Sequence, residues 1–181
     1  MKTKISILTL LALGMVFTFT ACSKQGETAV AADSDAQSTG PSQFLLDSVP
    51  ESPPGVIEAV QDANAGDAVV FTGRVGGVRD PLMKEFAAFV IADEIVVFCD
   101  EMGDDGHCSM PWDACCEDPA KVSAARAFVQ FVDESGAPRP VNLEEAIGLA
   151  ANQNVIVKGR LAPDSTPENR IILAEGITIL Q

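Results

Sequence analysis

Four cysteines crowd into one stretch of this chain, Cys99, Cys108, Cys115 and Cys116, and the single histidine, His107, lies among them. Thiols do two things that other side chains do poorly. They oxidise in pairs to disulfides, and as thiolates they hold soft metal ions. An even number of cysteines in an exported chain reads as two disulfides stapling the Gly- and Asp-rich segment 99–117. Linking the adjacent Cys115 and Cys116 would strain the bond. That leaves Cys99–Cys115 with Cys108–Cys116, or Cys99–Cys116 with Cys108–Cys115. The competing reading is a Zn²⁺ or Cu⁺ site built from the four thiols and His107, with Met102 and Met110 as soft thioethers for copper. Spacing weighs against it. Zinc sites usually show C-x₂₋₄-C knuckles, whereas the gaps here are eight, six and zero residues. Disulfides are the expected state, no cofactor is expected, and metal handling is the alternative. Asp100, Glu101, Asp104 and Asp105 lack the ligand order of a calcium loop and read as a solvated acidic loop.

The rest of the chain offers little catalytic chemistry. A nucleophile needs a base beside it, and adjacency of His107 to Cys108 in sequence does not make a dyad. Gly76-Gly77 lacks a phosphate-loop pattern and a following Lys-Ser/Thr, and there is no C-x-x-C redox motif. A non-enzymatic protein is expected. With a net charge of −14, no Tyr and one Trp, the chain is unsuited to nucleic acid, whose binding rests on Lys, Arg and stacking aromatics. Trp112 either packs over the cysteine loop or stands as a binding hot spot. Segment 108–117 also resembles a P-W-D-x-C-C-E stretch of uncharacterised bacterial secreted proteins, a likeness that implies export and no mechanism.

The N-terminus suggests where these residues work. Lys2 and Lys4 precede an uncharged run of about 17 residues, 5–21, and then Cys22. A basic start, an apolar stretch and small residues before a cut site make a secretory signal. Phe19-Thr20-Ala21-Cys22 resembles the lipobox of bacterial lipoproteins, with Phe19 where Leu is commonest. The resemblance implies cleavage before Cys22 and acylation of that cysteine. With Ser23 following, it also implies an outer-membrane anchor facing the periplasm. Membrane lipid would thus be one partner, and more than one acyl chain gives durable anchoring. Loss of Lys2 and Lys4 with the leader leaves the mature chain more acidic still.

Residues 1–21 are therefore expected to be signal, 22–54 a polar tether and 55–181 the folded domain. Val56, Ile57 and Val60 recur at helical spacing. Period-two runs of β-branched residues predict strands over 67–75, 85–92 (continued or followed by 95–98), 125–132, 155–161 and 171–180, the last broken at Gly176. Leu143, Ile147 and Ala150 predict a short helix over 143–151. The order β-β-β-α-β-β resembles the OB-fold, a five-stranded Greek-key barrel. Thr72-Gly73-Arg74-Val75 and Lys158-Gly159-Arg160-Leu161 place a glycine where a small barrel must coil sharply. The expected fold is thus a mainly β, OB-like barrel with a disulfide-rich loop between its second and third strands. OB-folds bind through the loops joining strands 1–2 and 4–5, here 76–84 and 163–170. Arg74, Arg79, Lys84 and Arg160, with Trp112, are the candidate contacts for an envelope protein, peptide or glycan.

Overall fold

The computed structural model describes residues 40–103 and 108–180. The leader, Cys22, the first part of the tether and His107 lie outside them. Five strands, β1 (Ala68–Val75), β2 (Ala88–Ala92), β3 (Arg126–Gln130), β4 (Asn154–Leu161) and β5 (Arg170–Ile179), close into a barrel in the order β1-β2-β3-β5-β4. Neighbours are antiparallel except β3 and β5, which run parallel with Phe128 opposite Ile171. A short helix, α3 (Leu143–Ile147), joins β3 to β4 and stops at Gly148, whose φ of 72° suits a residue without Cβ. This is the OB-like topology expected from the element order.

Alternation builds the core. Val69, Phe71 and Val75 of β1 point inward, with Phe89 and Ile91, Ala127 and Val129, Val155 and Val157, and Ile172 and Ile177 from the other strands. Each large side chain so buried contributes about 1.5–3 kcal/mol. The two glycines in the G-R strands sit where backbones converge. A Cβ on Gly73 would lie 2.6 Å from the Ala92 carbonyl, and one on Gly159 would lie 2.4 Å from that of Leu173. The break expected at Gly176 is a bulge: Lys158 pairs with Gly176 and Gly159 with Ala174, leaving Glu175 unpaired.

Three expectations need correction. The tether does not run to residue 54. Pro41–Phe44 forms a 3₁₀ turn that drives Phe44 into the core, edge-on to Phe131 with ring centroids 5.0 Å apart. The Leu46 amide then bonds to the Ile177 carbonyl. One aromatic side chain among polar residues is enough to dock the segment. Second, 95–98 is not a strand, because Asp93 turns the chain immediately after β2. Third, the segment before β3 contains a helix, α2 (Pro119–Ala124). Asp118 caps it by accepting the Ala120 and Lys121 amides, and Pro119 opens its first turn.

A second, smaller core lies beside the barrel. Ala92, Val96, Phe98, Ala114, Val122 and Ala125 are buried together, with Ile57 and Trp112 against them. Helix α1 (Val56–Val60) links the two cores. This small core carries the cysteines.

Candidate metal centre

The cysteine segment is folded back on itself and fastened to the barrel. The Cys99 amide donates to the Asp113 carbonyl at 2.8 Å and the Asp100 amide to that of Pro111 at 3.1 Å, so the two limbs of the loop run side by side. Trp112 pins them to the β1–β2 connection. Its Nε1 donates to the Arg79 carbonyl at 2.9 Å, and its own carbonyl accepts the Gly77 amide. Gly76 makes room for this, because a Cβ there would lie 2.6 Å from the Trp112 carbonyl oxygen and 2.5 Å from the Phe98 ring. On the other side Arg74 lies 3.8 Å above the Phe98 ring and pairs with Glu101 and Asp100. Asn152 donates to Asp100 at 2.9 Å.

These fastenings bring four sulfurs to one place. The Sγ atoms of Cys99, Cys108, Cys115 and Cys116 all lie within 4.8 Å of one another. Cys115 is 3.1 Å from Cys108, 3.5 Å from Cys99 and 3.8 Å from Cys116, and Cys108 is 3.5 Å from Cys116. The expected disulfides are not formed. A disulfide needs sulfurs about 2.05 Å apart, and all four cysteines are free. The physical reason is that the loop wraps round a common centre, so each sulfur has several neighbours. Zn–S bonds of about 2.3 Å in a tetrahedron put sulfurs about 3.8 Å apart. The observed separations, four of them between 3.1 and 3.8 Å and all within 4.8 Å, lie around that figure. The fold of the loop gathers the four sulfurs although the sequence has no knuckle spacing.

The thiols are not equivalent. Cys115 accepts hydrogen bonds from Cys108 first, then Cys99 and Cys116, which hold its thiol below the usual range. Burial pushes Cys99 up, against the opposing bond from Cys108. Bonding to Cys99, and then to Cys115 and Cys116, pushes Cys108 up as well. The hydrogen bonds among the thiols thus converge on Cys115. The cluster is closed on one side by buried Cys99 and open on the other, where Cys115 and Cys116 are exposed.

No protein-family model matches the chain, and a search of curated proteins finds no match.

The other candidate residues divide. Arg74 is a latch on the cysteine loop, committed to Glu101, Asp100 and the Phe98 ring. Arg160 is paired with Glu175 at 3.3 Å, as is Lys158 at 3.4 Å. Arg79 is exposed on the β1–β2 connection, which also carries Lys84. Trp112 is half-buried and structural. Sequence reasoning missed Arg126, the first residue of β3, which shares a cleft with Arg79 and Cys115. Only the folding of the loop onto β3 reveals it. Among the described residues no helix is long and apolar enough to cross a membrane.

Proposed function

We propose that this protein is a non-enzymatic envelope lipoprotein, held at the outer membrane through acylated Cys22, whose OB-like barrel carries a four-thiolate centre for a thiophilic metal ion, Zn²⁺ foremost. The observation that carries the metal reading is the convergence of Cys99, Cys108, Cys115 and Cys116 within 4.8 Å. All-sulfur tetrahedral sets select zinc or iron–sulfur chemistry over hard cations. The barrel and the small core fix the loop from both sides, so most of the ordering needed for binding is built into the fold. The lipobox-like leader supports the anchoring.

The test is a thiol and metal inventory of the mature protein isolated without added oxidant. One equivalent of zinc, four thiols that become reactive only on chelation, and loss of metal in Cys99→Ser are the expected results. A mass four hydrogens below that of the reduced chain, with no metal at any pH, would return the loop to the role of a disulfide staple. Incorporation of labelled fatty acid, abolished in Cys22→Ala, tests the anchor separately.

A further inference from the structure

A cleft of about 360 Å³ opens beside the sulfur cluster. Its wall includes Cys115, Gly77, Arg79, Asp113, Glu117 and Arg126. Cys115 brings an exposed ligand of the centre to the cleft, and two arginines stand in the same wall. The chain carries 12 Lys and Arg against 26 Asp and Glu. Among the described residues, Arg74, Lys121, Lys158 and Arg160 are tied up in ion pairs. Among the described residues Arg79 and Arg126 have no carboxylate partner. Of the two acids of the wall, one is paired with a lysine and the other only accepts a backbone amide, so two guanidinium groups face one unpaired carboxylate. Glu117 pairs with Lys121 at 2.6 Å, and Asp113 Oδ1 accepts the Ala114 amide at 2.8 Å. An anion approaching this acidic molecule therefore meets two guanidinium groups next to a metal-accessible sulfur.

Resting on the metal reading above, we infer that this cleft is a docking site for a small anionic polycarboxylate chelate, and that the ion enters and leaves the centre by ligand exchange there. Arginine matches a carboxylate with two parallel N–H donors, and the cleft is of small-ligand size. A four-cysteine site has no open coordination position, so the ion can leave only by exchange of a sulfur, and two of the four cysteines here are exposed. In the exchange, each Zn–S bond that breaks is replaced by a bond from the chelator's oxygens or nitrogens, and the freed thiolates take protons from water. No electrons move.

The test follows zinc leaving the loaded full-length mature protein for either of two acceptors, anionic EDTA or uncharged TPEN. In the double variant Arg79→Gln/Arg126→Gln, transfer to EDTA slows on the order of tenfold, the low end of electrostatic steering, and is no longer slowed by added salt. Transfer to TPEN is unchanged, and Arg126→Lys, which keeps the charge but not the two parallel donors, recovers only part of the rate. Lys84→Gln, which removes a cation outside the cleft, leaves both rates alone. Zinc content and circular dichroism of each variant establish that it is folded and loaded. Equal slowing with both acceptors, or no slowing with either, overturns the docking site and leaves the metal centre standing. Failure of the wild-type protein to take up zinc at all is seen before any transfer is measured, and it sinks both readings.

Discussion

Asp93 caps a helix that begins far before it in sequence: its Oδ2 accepts the backbone amide of Ile57 at 3.0 Å. The N-cap of α1 is Gly55, which has no side chain to do this. The closeness of Asp93 explains the glycine, since a Cβ at position 55 would lie 2.5 Å from that carboxylate oxygen. Asp93 Oδ1 also accepts the Ile95 amide at 3.2 Å. One buried carboxylate therefore ends β2, turns the chain toward the cysteines and starts the helix that links the two cores.

Removing that carboxylate leaves two amides short of an acceptor. Asp93→Ala is expected to cost about 2 kcal/mol, the usual scale for hydrogen bonds to a charged group. Asp93→Asn, which keeps one oxygen, is expected to cost less. Urea titration of the two variants checks the order. Equal stability of Asp93→Ala and the parent protein would show that the cap contributes nothing.

The docked N-terminal turn gives a second expectation. Phe44 is fully buried against Phe131, and Arg139 sits 5.0 Å above its ring. Truncating a buried Phe leaves a cavity and costs about 3–5 kcal/mol. Phe44→Ala should lower the urea midpoint by a corresponding amount, whereas Leu45→Ala, at an exposed position, should hardly move it. If residues 40–46 were tether, both substitutions would be silent.

The barrel was legible in the sequence because its strands alternate. Val69, Phe71 and Val75 face one way and Thr72 and Arg74 the other, and that periodicity depends on local spacing alone. Phe44 was not legible, because a single aromatic in a polar stretch has no period; its burial depends on Phe131, far along the chain. The cysteine centre was half legible. Residue types marked it, but spacing argued for disulfides, since knuckle rules assume that the sulfurs are gathered locally. Here Trp112, Gly76 and Arg74 gather them from the barrel. Helix α2 carried a readable signal, Asp118 before Pro119.

The Trp112 clamp separates loop order from barrel order. Trp112→Phe keeps an aromatic ring but removes the rest of the indole with its Nε1 bond to the Arg79 carbonyl, so the cost is about 1 kcal/mol for the hydrogen bond plus the lost packing against the small core. Gly76→Ala forces a Cβ into the Trp112 carbonyl and the Phe98 ring, at a φ of 150°. Both variants should speed amide hydrogen exchange in 99–103 and 108–116 and weaken zinc binding, with Gly76→Ala the more severe. Protection of Phe71 and Val157, in the β1–β4 ladder, should be kept by Trp112→Phe. Uniform loss of protection across the barrel in that variant would show that the loop and barrel unfold as one unit.

The last expectation concerns which thiol acts first. In the reduced, metal-free protein Cys115 is held below the usual thiol range by the hydrogen bonds it accepts from Cys108, Cys99 and Cys116, while Cys99 and Cys108 are pushed above it. The thiolate is the reactive form. A lowered value means that Cys115 remains thiolate at a pH where Cys99 and Cys108 are thiols, and protonates only as pH falls through that lowered value. Iodoacetamide at neutral pH should therefore modify Cys115 ahead of Cys99 and Cys108, and raising the pH should bring in the other two. Zinc should protect the cluster and release protons on binding, and protection should fade as pH falls, because protons compete for the same sulfurs. Peptide mass mapping after timed quenching reads the order. Labelling of Cys99 or Cys108 before Cys115 would mean that the sulfur network does not centre on Cys115.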